Sequence, residues 1–142
     1  MAERQLNIPR AGLAWRFPLW SSQILLAIVF STAGAMKSFM GPETLVGFGI
    51  NYANDIPIWL LRLIGAAELA GSIGTVFPAL TRVLPFLTPL AALGLATIQV
   101  LAIGFHFWRG ELAEMWPINL MLLGLSLFVL WGRAIKAPVE PR

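Results

Sequence analysis

Cysteine is absent from the 142 residues, histidine occurs once, and Asp, Glu, Lys and Arg together make up only 12%. The missing cysteines exclude disulfides, thiol nucleophiles, thiolate metal ligands and iron–sulfur clusters together, so any redox role must use a bound cofactor. A single histidine leaves a histidine-based metal site without its second ligand, and no metal is expected. Charge at about half the ~25% of a soluble domain, beside 58% hydrophobic residues, is a membrane composition. A soluble helical bundle needs a polar face, and none is visible. The net charge of +3 is spread singly between apolar runs, so no patch for nucleic acid forms.

Enzyme signatures of the soluble kind are also missing. The glycines of GAAELAGSIG, residues 65–74, follow a helix-forming segment and precede no strand, which rules out a dinucleotide or phosphate loop. Ser72 and Ser126 have no evident base at matched depth, so a hydrolase has no support. Catalytic status is left open.

What is present is four apolar runs, expected as membrane-spanning helices at about 19–39, 57–77, 89–108 and 116–132. Each has about 20 residues, the length that crosses about 30 Å of hydrocarbon at 1.5 Å per residue. Pro57 suits a first helical position, Pro78 a stop, and Thr88 with Pro89 an N-cap and first residue. The chain is thus expected to be a single all-α domain, an integral membrane four-helix bundle, with polar tails at 1–17 and 133–142. A basic start, an apolar run and the small residues Ala33, Gly34 and Ala35 imitate a cleavable signal, but the basic leader is long for one. Residues 40–56 form the longest loop. Glu43 to Phe48 suit a short interfacial helix, whereas three glycines with Asn51, Asn54 and Asp55 favour irregular structure. The segment is either a lid or a plain connection.

Two patterns support four spans. Arg4, Arg10, Arg16, Arg82, Arg133, Lys136 and Arg142 fall on one side and only Lys37, Arg62 and Arg109 on the other, which puts both termini in the cytoplasm. All six tryptophans, at 15, 20, 59, 108, 116 and 131, fall at or just beyond expected helix ends, as interfacial belts require.

Polar residues can then be given depths. Glu68 is the one acid near mid-membrane, where a charge is disfavoured by about 2.5 to 3.5 kcal/mol and needs neutralisation, a partner or water. Gln99 on the third span is level with it to within about a turn, so the two are candidate hydrogen-bond partners. Lys37, Arg62, His106 and Asn119 form a shallower layer. Gln99, Ile103, His106 and Arg109 share a stripe that suits the lining of an outward-open cavity. The plainer readings stand beside these. Glu68 also suits polar glue among Gly65, Ala67, Gly71 and Gly74, His106 an interfacial histidine, and Asn119 the start of the last helix. Lys37, Arg62 and Arg109 are expected to snorkel to the headgroups.

IGAAELAGSIG in the second span, RVLPFLTPLAALGLA and GFHFWRGE around the third, and PINLMLLGLSLFVLWGR in the fourth resemble the DoxX-like family of small membrane proteins. The marks are Lys37, the Gly65, Glu68 and Gly71 unit, His106, Asn119 after Pro117, and the closing Gly132 and Arg133. Phe107 and Trp108 depart from the smaller aliphatic and basic residues expected after the histidine. The resemblance covers about 25–133 and implies a bacterial inner-membrane protein. Some relatives are membrane subunits of quinone-reducing complexes, and distant ones are assembly factors. Two readings follow. In one, Glu68, Gln99 and His106, with Lys37, Arg62 and Asn119 around them, hold a quinone or similar hydrophobic molecule in a redox-linked complex. In the other, a non-catalytic scaffold binds partner helices or a second copy through small-residue faces such as Gly71 and Gly74. A transporter is disfavoured, because no broken-helix pair is visible.

Overall fold

The structure is a computed structural model that describes residues 10–142, with side chains from Gly12 onward. It is all-helical among the described residues: α1 (Arg10–Phe39), α2 (Pro42–Gly47), α3 (Ile58–Thr81), α4 (Leu87–Arg109) and α5 (Leu112–Trp131). A 3-10 turn at Asn51–Asn54 lies between α2 and α3, and a π turn at Gly132–Lys136 extends α5. The four long helices are apolar and long enough to cross a membrane, and they close a ring in the order α1, α3, α4, α5.

The helices overrun the expected limits in both directions. α1 starts at Arg10 and so takes up half of the expected polar tail; the rest of that tail, residues 1–9, lies outside the described residues. Pro18 sits within α1, and Ser22 Oγ donates to the Pro18 carbonyl at 2.8 Å. Pro78 does not stop α3, which continues one turn to Thr81 and ends where Arg82 turns left-handed (φ 62°). A proline removes only one N–H and is tolerated where neighbours hold the helix. α4 begins at Leu87 and α5 at Leu112, each slightly earlier than expected, and the first residues of the C-terminal tail are the π turn. Gly110 ends α4 with φ 74°, a conformation glycine adopts without strain, and its N–H caps the helix.

Two ends can be distinguished. At the capped end, residues 40–57 fold over the ring. Leu45, Ala53 and Leu61 are buried together there, with Met36, Met40, Ile50 and Tyr52 against them. At the Arg82 end the chain carries the α3–α4 turn, the π turn and the last residues, where the Arg142 N–H donates to the Arg82 carbonyl at 3.1 Å. Trp59, Trp108 and Trp116 ring the capped end, and Trp15, Trp20 and Trp131 the other, which accounts for the six tryptophans. Between the ends, Leu26, Phe30, Ala92, Leu95, Leu122 and Val129 form the dry core.

α1 and α3 meet backbone to backbone. A Cβ placed on Gly65 would lie 2.8 Å from the Gly34 carbonyl oxygen, and one on Gly34 would lie 2.8 Å from that of Gly65. Gly71 and Gly74 serve the same purpose against Leu95 and Ala91 of α4. These two glycines are therefore internal packing and no surface for a partner, which corrects the expectation from sequence.

Candidate functional site

The Gly34–Gly65 crossing sets up the site. α1 and α3 run in opposite directions, and side chains on a helix tilt toward its N-terminus. Lys37, one turn beyond Gly34, therefore points down into the bundle, while Glu68, one turn beyond Gly65, points up toward it. They meet: Lys37 Nζ donates to Glu68 Oε1 at 2.6 Å and to Oε2 at 2.8 Å, with both side chains buried. Glu68 is thus partnered by Lys37, and Gln99 forms no hydrogen bond with it.

Lys37 does not snorkel, and Arg62 and Arg109 are each held by protein partners at the capped end. Lys37 is directed inward by its helix. Arg62 Nη1 donates to the Lys37 carbonyl at 2.6 Å, capping the end of α1, where carbonyls lack helical partners. Arg109 bridges Asp55 at 2.7 Å and Glu111 at 2.9 Å, and so ties the covering loop to the α4–α5 turn. Glu111 in turn lies 3.3 Å from His106 Nδ1. The Arg109 hydrogen bond, with a smaller one from His106, holds the Glu111 carboxyl below the usual range.

Beneath the loop is a cavity of about 700 Å3, bordered by Lys37, Glu68, Gln99, His106 and Asn119 among mostly apolar side chains. Five of the six candidates from sequence line one space. Arg62 does not; it is turned to the α1 end. Tyr52, Phe105 and Glu111 also line the cavity and were not singled out. Tyr52 packs edge-on to Phe105 at 5.6 Å and His106 at 5.7 Å. Burial raises the Tyr52 phenol's pKa, with Lys37 opposing and Glu68 reinforcing, so the group is a hydrogen-bond donor at neutral pH. Its signal was available, since it is the one tyrosine of the chain and lies in the loop read as a possible lid.

Six buried side-chain atoms have no hydrogen-bond partner among the described residues, on Ser38, Thr88, Gln99, Arg109, Asn119 and Arg133, and of these residues only Gln99 and Asn119 border the cavity. Each is buried, at 4% and 8% exposed, yet Gln99 Oε1 and Asn119 Nδ2 have no hydrogen-bond partner. An unpartnered buried polar atom is disfavoured by about 1–3 kcal/mol. Both residues border the cavity, where such amides are suited to hydrogen-bonding the polar head of an apolar guest. Among the described residues no cluster of His, Asp and Glu is arranged to hold a metal.

Fold and site together define a four-span integral membrane protein with a buried ion pair and a cavity near one end. The family model described as the DoxX-like family matches residues 21–129. The chain belongs to that family. No match was found among the curated proteins or the solved structures.

Proposed function

We propose that this protein is a membrane-embedded subunit that holds a hydrophobic small molecule with a polar head, such as a quinone, within a redox-linked complex. The observation carrying this reading is the cavity of about 700 Å3, in which two buried amides are left without protein partners beside the Lys37–Glu68 pair. The volume lies within the roughly 300–1,000 Å3 of small-molecule sites. Gln99, Asn119 and Tyr52 are the hydrogen-bonding groups for the head, and His106 and Glu111 flank it. The seven cations at the Arg82 side and in the tails, against three at the capped end, support cytoplasmic termini and a cavity in the outer half. A bacterial inner membrane fits the same orientation.

The test is mass spectrometry of an organic extract of the purified protein, beside Gln99→Leu/Asn119→Leu and an unrelated four-span control. A quinone or other defined hydrophobe should be enriched in the wild type and depleted in the variant. Equal bulk lipid in all three samples overturns the reading. A second reading, a scaffold for partner helices or a second copy, draws on Gly94, Gly104 and Gly124, where an added Cβ meets nothing within 4 Å. Leucine at those positions should disrupt a co-purifying complex and leave bound small molecules unchanged. Persistence of the complex would count against the scaffold.

A further inference from the structure

We infer that the cavity takes a molecule with an uncharged polar head, which enters sideways from the bilayer between α3 and α4 and not through the capping loop. The inference rests on the ligand-site reading above and adds the chemistry of the head and the route of entry.

The head follows from the charges. Those on the cavity wall are Lys37, Glu68 and Glu111, with His106 beside them. Lys37 is taken by both oxygens of Glu68, and Glu111 by Arg109, which also holds Asp55. No cation on the wall is left for an anionic head, and at the roof the two carboxylates, Asp55 and Glu111, outnumber their one arginine. A cationic head at Glu68 would have to displace Lys37 and leave that ammonium buried without a partner, and at Glu111 it would have to compete with Arg109 and His106. The unused capacity lies on Gln99 and Asn119, which are neutral amides. They suit carbonyl or hydroxyl groups.

The route follows from which wall residues face outward. Gly49 and Asn51 of the loop and Ile118 of α5 are exposed wall residues, but the most exposed apolar ones are Leu63 of α3 (58%) and Leu101 of α4 (67%), with the exposed Ala67 between them on the same lipid-facing side. α3 and α4 are pinned together farther down, where Gly71 meets Leu95 and Gly74 meets Ala91. Above those contacts the wall residues Leu63, Ala67 and Leu101 are exposed on the outer surface of the bundle. The aqueous side is roofed by Ile50, Tyr52 and Ile56, in a loop anchored by fully buried Leu45 and clamped by Asp55 to Arg109. A membrane-dissolved molecule thus has an apolar doorway at its own depth.

The experiment uses three probes with one decyl tail: decylbenzoquinone, decanoate and decylamine. Each is supplied in neutral phosphatidylcholine vesicles containing the reconstituted protein, and loading is followed by native mass spectrometry. The quinone should bind at least about tenfold more tightly than either charged probe. Ala67→Trp and Leu101→Trp, both at lipid-facing positions, should each slow quinone loading by about tenfold, while Asp55→Asn should change it by less than about twofold. Equal or tighter binding of a charged probe overturns the neutral head but leaves the ligand site standing. Loading unaffected by both tryptophans, or accelerated by Asp55→Asn, overturns the lateral route. No binding of any probe overturns the ligand-site reading and this inference together.

Discussion

The two halves of the bundle handle their buried amides in opposite ways. At the Arg82 end, the buried Arg133 has neutral partners: its Nε donates to Gln23 Oε1 at 2.8 Å, Nη1 reaches the Ala137 carbonyl at 3.3 Å, and the guanidinium lies 5.2 Å from the Trp20 ring centre. Gln23 uses its other end on the Thr75 carbonyl, while Ser22, Ser72 and Ser126 bond to carbonyls of their own helices. Gln23 and Arg133 thus stitch elements to one another, the serines stay within their own helices, and Thr88 Oγ1 and Arg133 Nη2 are left without partners. In the capped half charges meet charges, and Gln99 and Asn119 are buried beside empty space with nothing to hold. The difference separates polarity that maintains the fold from polarity available to a guest.

The largest effect expected is at the ion pair. Lys37→Met leaves Glu68 buried without its partner and should destabilise the fold by about 3–5 kcal/mol, whereas Lys37→Met/Glu68→Leu should return most of that loss. Reversible unfolding of both variants in detergent micelles checks the cycle. Additive losses would mean that the pair is not the link between α1 and α3. The same logic changes what a single Glu68→Gln variant can show, since it confounds a lost site with an uncompensated lysine.

A smaller effect is expected in the other half. Gln23→Leu strands Arg133 Nε and removes the second hydrogen bond to the Thr75 carbonyl, which keeps its helical one, a loss of about 1–3 kcal/mol for the group left unpaired. The unfolding temperature should fall, and bound small molecules should stay. Loss of a bound molecule without loss of stability would erase the distinction between the halves.

Much of this was legible in the sequence. Four apolar runs of spanning length and tryptophans at their ends give the bundle, and spacing alone grouped Glu68, Gln99, His106, Lys37 and Asn119 near one end. The partnerships were not legible. Depth counted along a helix pairs Glu68 with Gln99, but side-chain tilt on antiparallel helices pairs it with Lys37, and that depends on the Gly34–Gly65 crossing. Arg62 was misplaced for a related reason: it lies at the start of α3, so its side chain tilts out toward the end of α1. Tyr52 and Glu111 lie in connections, whose path over the bundle is set by tertiary contacts such as Leu45 in its apolar seat.

The smallest effect concerns the clamp on the loop. Glu111 has a folded-state pKa below its ordinary 4.5, mainly through Arg109, so its contribution is complete above that value and is lost as pH falls through the lower folded value. Because the carboxylate meets solvent, the change should be local. Hydrogen exchange should show the Ala53 and Asp55 amides, bonded to Ile50 and Tyr52, protected at neutral pH and losing protection only in acid. Arg109→Gln should remove that acid dependence.

The most direct test of the division between the halves is the unfolding temperature of ligand-stripped Gln99→Leu/Asn119→Leu beside the stripped wild type. If these amides serve a guest, the variant unfolds at the same temperature or higher, because two unpaired buried polar groups have been replaced by apolar side chains of similar size. A fall as large as that of Gln23→Leu would show that both amides hold the fold, and the contrast between the two halves would be contradicted.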